Sequence, residues 1–332
     1  RTVRLIAIVL AVLLAAGAVV SAVLSLAYAE EAVPSAPVQC TLKMEYLAEE
    51  QALRISQRLL YTNTSDAALD RVVFYAPANM LRRESALMYD AEHIEAAFAY
   101  GYAPGGIELL SVRADGEAAD YGFQCEDEIY LRVACDIPAG ESRAIEFEYY
   151  LLFTENNAFL GCGALDVRLS DFCFIPARLD AENHDFALHT PLPFTRYIDA
   201  PQMDVCAEIA LPDTFTLAGT GVEQAEDSGA HMRLWRINAE NVHDFALSFG
   251  RRWREYVRET ASGVQIRCLL NARGKANTVL DMAEDAVNTL EAWFGALPFE
   301  QIDIVQSDYA VGALTHTGCL WLNAETLSDR TR

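Results

Sequence analysis

The sequence has no surplus of positive charge: its 332 residues carry a formal net charge of −23. Nucleic-acid binding needs clustered Lys and Arg to neutralise phosphates, so that class of partner is excluded. The acidic balance reads instead as a soluble, self-repelling surface. Eight cysteines are present, but none falls in a C-x-x-C pair or a short repeated spacing, which excludes the usual structural zinc signatures. No G-x-S-x-G elbow occurs, so a serine nucleophile is not indicated. The stretch from Gly101 to Gly106 follows no apolar strand and opens no helix, so it reads as a turn rather than a phosphate loop. None of the six histidines has a histidine partner four residues away. His184 and His189 lie near Asp180, Glu182 and Asp185, yet the spacing suits neither one helix face nor one strand face. A solvated loop is expected there. No internal repeat and no low-complexity tract is present.

What the sequence does have begins with an apolar run. Leu5 to Ala27 carries no charge, and a bilayer core requires about 20 such residues. Arg1 and Arg4 flank the run on one side, Glu30 and Glu31 on the other, so the residues after Glu30 are expected outside the cytoplasm. Ala27-Tyr28-Ala29 also fits a signal-peptidase site. The run exceeds the usual signal-peptide core of about 7–15 residues, which favours a retained transmembrane helix. Cleavage would instead give a secreted protein. Arg1 is not Met, and Arg332 follows no terminating element, so both ends are expected to be cuts within a longer chain.

Residues 30–39 form a Pro-containing tether. From Cys40 to about Gly250 short alternating runs recur between turn residues, at intervals of about 8–12 residues, as in a β-sandwich or twisted open sheet. Leu53–Asn63 alternates, and Ile107–Gly116 stops at Asp115-Gly116, a hairpin signal. Ser85–Tyr100 interrupts the strands as a short helix or a long loop. Cys206 and Cys268 sit inside apolar strand patterns, where buried free thiols are expected. After Gly263 the period changes. Val264–Leu270 reads as a strand, and Val279, Ala283, Ala286, Leu290, Trp293 and Phe294 then fall at helical spacing. Asn277 is the expected N-cap, and Gly295 and Pro298 the expected stop. Ile302–Gln306 and Cys319–Asn323 read as further strands. The fold class expected is therefore mainly β with a C-terminal α/β portion, with all four tryptophans packed into cores or strands.

The succession of Asn238–Gly250 (NAENVHDFALSFG), Leu290–Phe299 (LEAWFGALPF) and Gln301–Ala310 (QIDIVQSDYA) resembles the membrane alanyl aminopeptidase-like zinc metallopeptidases (the gluzincin type), N-terminal part only. Leu59–Ser65, Phe172–Asn183 and Ala207–Gly221 support the likeness, which covers about Cys40 to Trp321 through many weak matches in order. The resemblance implies a transmembrane anchor or signal (1–29), the tether, a β-saddle or sandwich domain (40–257) and the incomplete start of a thermolysin-like catalytic domain (258–332). It implies zinc as the cofactor of the full-length protein, peptide as substrate, the membrane as a partner through the N-terminal helix, and no cofactor in the present chain.

Two departures matter. The family's Gly-x-Met-Glu-Asn/Tyr stretch, whose Glu binds the substrate's free amine, is matched by Gly312–Gly318, with Thr315 where Glu is expected. A hydroxyl cannot supply the charge that pairs with an ammonium. H-E-x-x-H is also absent from these residues, so the chain as given is expected to be inactive. The resemblance makes Gly312, Ala313, Leu314, Thr315 and His316 the substrate-binding residues, with no catalytic or metal-binding residue in the chain. The alternative is a non-catalytic relative, or a β-sandwich ectodomain that binds a peptide or protein partner.

Overall fold

Strand alternation organises the fold from its first residues. The computed structural model describes residues 38–84, 91–180, 183, 185–189, 199–271 and 275–323. The apolar run at 5–27, and with it the expected membrane helix, lies outside the described residues. No described helix is long and apolar enough to cross a membrane. β1 (Val38–Leu47) buries Val38, Cys40, Leu42 and Met44 and exposes the residues between them. It forms a hairpin with β2 (Ala52–Thr62), paired from Val38–Tyr61 to Leu47–Ala52. β3 (Leu69–Tyr75) leaves for a second sheet. A 3-10 turn (Pro77–Arg82) and the short helix α1 (Ala91–Ala97) follow, so part of the Ser85–Tyr100 interruption is helical.

β4 (Gly106–Ala114) and β5 (Glu117–Ala118) return to the first sheet. β6 (Tyr121–Gln124) and β7 (Tyr130–Ile137) extend the second, and β8 (Ser142–Leu152) inserts between β2 and β4. β9 (Leu160–Cys162) and β10 (Asp166–Ser170) begin a third sheet. β11 (Ile175–Pro176) pairs with β3, and β12 (Arg178–Asp180) with β13 (Asp185–Ala187). β14 (Met203–Pro212) then lies parallel to β1 in the centre of the first sheet. β15 (Thr216–Gly219) and β18 (Ala246–Gly250) complete the third sheet. β16 (Val222–Gly229) and β17 (Met232–Val242) complete the eight-stranded first sheet. The β15–β16 turn is close-packed: a Cβ on Gly219 would stand 2.4 Å from the Ala246 carbonyl oxygen, and one on Gly221 2.3 Å from that of Asn238. Gly221 also has φ +97°, a conformation side chains resist.

The C-terminal sheet has the order β19 (Arg254–Glu259), β20 (Gln265–Leu270), β21 (Gln301–Ser307), β23 (Cys319–Asn323), β22 (Ala313–His316). Position 257, where the sequence reading divides the chain, lies within β19. β20, β21 and β23 are parallel, and helix α2 (Ala276–Phe294) makes the crossover from β20 to β21. Both faces of this sheet are used. Leu269, Val305, Leu314, Cys319 and Trp321 join the main β core. Ile266, Cys268, Leu270 and Ile304 pack beneath Ala276, Val279, Leu280 and Val287 of α2. Each fully buried aliphatic side chain there contributes about 1.5–3 kcal/mol.

Several sequence expectations are corrected. Cys206 is exposed, because it occupies an outward position in the alternation of β14, whereas Cys268 is buried. Helix α2 begins after Lys275 with no side-chain cap, so Asn277 is not its N-cap. Trp235, Trp253 and Trp321 are buried, but Trp293 is 71% exposed. The apolar stripe of α2 is only half used: Met282 is 68%, Leu290 41% and Phe294 78% exposed. Helical spacing sorts residues onto faces, but does not say what covers a face.

Replacing Trp293 and Phe294 together by Ser is therefore expected to change stability by no more than about 0.5 kcal/mol in urea unfolding. A loss of about 3–5 kcal/mol, the cost of emptying a core site, would contradict the exposure described.

Candidate functional site

The stretch Gly312–Gly318 forms the open side of the C-terminal sheet. β22 pairs antiparallel with β23, from Ala313–Leu322 to His316–Cys319, and ends the strand order. Four residues are enough to alternate. Leu314 and His316 are buried toward the main core, and the His316 ring lies 4.4 Å from that of Trp321. Ala313 and Thr315 are exposed on the opposite face, with Gly312 also exposed at the strand's start. Their cross-strand neighbours are Leu322 and Leu320, both half-buried and packed at the margin of the α2 cluster. The five residues expected to bind substrate thus divide, with Ala313 and Thr315 on an accessible floor and Leu314 and His316 anchoring the strand from below.

Backbone contacts fix that strand. The Thr317 N–H donates to the Asp244 carboxylate at 2.7 Å, and the Asn323 N–H to the Gly312 carbonyl at 2.8 Å. The Asp303 N–H donates to the Gly318 carbonyl at 2.9 Å. β22 therefore depends on β21, and β21 is held at both ends by buried ions.

At its start, Asp303 is fully buried. The Arg267 guanidinium donates to both its oxygens, at 3.1 and 2.8 Å, and the Gly219 N–H donates at 3.0 Å. Arg267 also donates to the Leu217 carbonyl at 2.9 Å and pairs with Glu223, whose side chain is buried. Burial pushes the Asp303 carboxyl up to about 6, against the opposing pull of Arg267. At the other end of β21, Ser307 donates to Asp166 at 2.7 Å, and Ser248 does so at 3.2 Å. Arg168, buried with Asp166, donates to it at 2.5 Å and to the Ala158 carbonyl at 3.0 Å. The next residue, Asp308, accepts from the Leu165 N–H at 2.6 Å, and burial raises its carboxyl above the ordinary value.

Burial pushes the Cys268 thiol up to about 12, so it is not poised as a nucleophile. Among the described residues, no three His, Cys, Asp or Glu side chains are grouped to hold a metal ion. His189 Nδ1 lies 3.0 Å from the Tyr75 hydroxyl, while Glu182 and His184 lie outside the described residues. A depression at the β16–β17 turn, about 370 Å³ and lined by Asp213, Asp227, His231 and Arg233 among others, includes no residue of the 312–318 stretch. Asp244, Asp303, Arg267 and Glu223 were not anticipated as supports of the site. The local signals were charged residues within apolar strands, Arg267 in Val264–Leu270 and Asp303 in Ile302–Gln306.

Crystal structures of the M1 zinc metallopeptidase from Deinococcus radiodurans share the architecture of this chain. For that enzyme the TM-score is 0.53 at 13% identity, over 87% of this chain and 60% of that one. A single-residue variant gives 0.56 at 13%, covering 88% and 61%. The same variant bound to a Tyr-Ser-Ala substrate gives 0.55 at 12%, again covering 88% and 61%. The chain thus spans about three-fifths of the length of those structures. The likeness at this identity is one of fold, to the N-terminal domains of M1 zinc metallopeptidases. No protein-family model and no curated protein matches the sequence.

Removing the cation beneath the site should be costly. Arg267→Met leaves Asp303 and Glu223 buried without their partner, and a loss of about 3–5 kcal/mol is expected in chemical unfolding. A change within about 0.5 kcal/mol would mean that the ion cluster is not buried as described.

Proposed function

We propose that this chain is the N-terminal portion of a membrane-anchored, extracytoplasmic zinc metallopeptidase, which supplies the substrate-facing edge strand but not the metal. The observation that carries the reading is the half-covered outer face of the C-terminal sheet. Helix α2 shields β20 and β21 and leaves Leu320 and Leu322 of β23 half-buried at its margin, whereas Ala313 and Thr315 on β22 stay exposed, as does the apolar end of α2. Such a layer is what a catalytic α/β domain presents when one more helix packs beside α2 and a substrate lies along β22. An extended peptide would join the edge strand through main-chain hydrogen bonds, with outward side chains reading its residues. The zinc, its ligands and the hydrolytic step belong, in this reading, to polypeptide other than the residues described.

Thr315 favours a second reading. It puts a neutral hydroxyl on the floor at the position where the resemblance implies an amine-binding carboxylate. A non-catalytic relative, or an ectodomain that binds a peptide or protein by its chain direction alone, would need no charge there.

Two measurements separate these readings. The purified 332-residue chain should release no product from aminoacyl substrates in a chelator-sensitive manner; measurable turnover abolished by chelation would overturn the assignment of zinc to other polypeptide. In calorimetry with the tripeptide Tyr-Ser-Ala, Thr315→Glu should bind at least about tenfold more tightly than the parent chain. That gain corresponds to one charge-assisted hydrogen bond of about 1.5–3 kcal/mol. The same peptide with an acetylated N-terminus should show no gain. Equal behaviour of the two peptides would remove Thr315 from the amine position and leave the second reading.

A further inference from the structure

The seam between the main β core and the C-terminal sheet holds more carboxylate than guanidinium. Arg267 of β20 faces Asp303 of β21 and Glu223 of β16, both with buried side chains, and Glu255 of β19 at 3.8 Å. The remaining groups around Asp303 are neutral. Gln301 of β21 donates its amide to Asp303 at 3.0 Å and to Glu223 at 2.8 Å, β15 offers only the backbone of Leu217 and Gly219, and Cys268 of β20 is held as a thiol by burial. One cation therefore serves two buried carboxylates and a third at the rim. At the far end of β21 the pattern recurs, with Arg168 against Asp166 and the half-buried Asp308.

An unneutralised charge inside a protein is expensive, and the group relieves the cost by taking up a proton. We propose that the Glu223–Arg267–Asp303 cluster is a proton-responsive joint, which takes up one proton as the surroundings turn mildly acidic and thereby tightens the C-terminal sheet against the β core. A carboxyl that gains this proton becomes neutral, and the repulsion between the two carboxylates that share the guanidinium is relieved. The sign follows from linkage. The Asp303 carboxyl is raised from 3.8 to about 6 in the folded protein, so the folded state binds the proton more tightly than the unfolded chain. The stability it contributes is fully present below the unfolded value and is lost as pH rises through about 6. This is opposite to the usual salt-bridged carboxylate.

The overall charge of −23 also makes acidification favourable through surface self-repulsion, so the test must isolate the joint. Thermal unfolding of the parent chain, Glu223→Gln and the exposed control Glu117→Gln is followed from about pH 7.5 to about pH 5. Glu223→Gln mimics the protonated cluster. It should melt a few degrees above the parent at the neutral end, with the gap closing at the acid end, while Glu117→Gln runs parallel to the parent. Parallel curves for Glu223→Gln, or a lower melting temperature throughout, would overturn the proposal. Independently of any variant, the Asp303 carboxyl ¹³C resonance of the parent chain should titrate at about 6, above the ordinary aspartate range. Titration of every aspartate in the ordinary range would overturn it equally.

Discussion

The C-terminal sheet is held in place by ions that have no access to water. Asp303 and Asp166 are both buried, and each reaches a single guanidinium, Asp303 that of Arg267 on the neighbouring strand β20 and Asp166 that of Arg168 on its own strand β10. Apolar contacts are non-directional and tolerate sliding, whereas a buried carboxylate must keep its donors within hydrogen-bond distance or bear most of its desolvation cost. The two clusters therefore set where β21 lies against β10, β15 and β18. Everything outward of β21 inherits that position: β23 by parallel pairing, then β22, and so the exposed Thr315. A residue on the rim is placed by charges in the interior.

The alternation that marks β1, β2 and β14 was legible in the sequence because each strand is long and half-buried, so a period of two is unmistakable. The strand–helix–strand crossover of β20, α2 and β21 was legible because the apolar spacing switches to a helical period between two short apolar runs. Short elements were not. β22 has four residues with an alternating burial pattern, too few for alternation to stand out from the turn around it. Cys206 was assigned to an interior from its apolar strand pattern and Trp293 from its helical spacing, yet the first sits out of phase with its strand's buried face and the second on an uncovered helix end. Among the partners of Arg267 are Asp303, 36 positions away, and Leu217, 50 positions away. No local pattern encodes such a meeting; only the folded topology creates it.

Fold and chemistry separate cleanly here. The architecture resembles that of M1 metallopeptidase N-terminal domains, while the described residues include no grouped metal ligands and carry Thr315 on the edge strand. A fold supplies a scaffold on which such a strand can be presented, and the side chains it bears decide what is recognised. The uncovered end of α2 belongs to the same account. Trp293 and Phe294 lie edge to face with each other, at 6.2 Å between ring centroids, rather than within a core.

The parallel pairing of β1 with β14 has a consequence for synthesis. Val38 finds Met203, and Glu45 finds Ala210, so the middle of the largest sheet joins the beginning of the described chain to its later half. During N-to-C emergence the β1–β2 hairpin must wait with one apolar edge unpaired until β14 arrives. Contacts so distant along the chain close slowly and leave strand edges open to the wrong neighbour in the meantime. The nascent polypeptide therefore has its greatest need of a chaperone between the appearance of these two strands, and a pause in elongation within that interval would be the most hazardous.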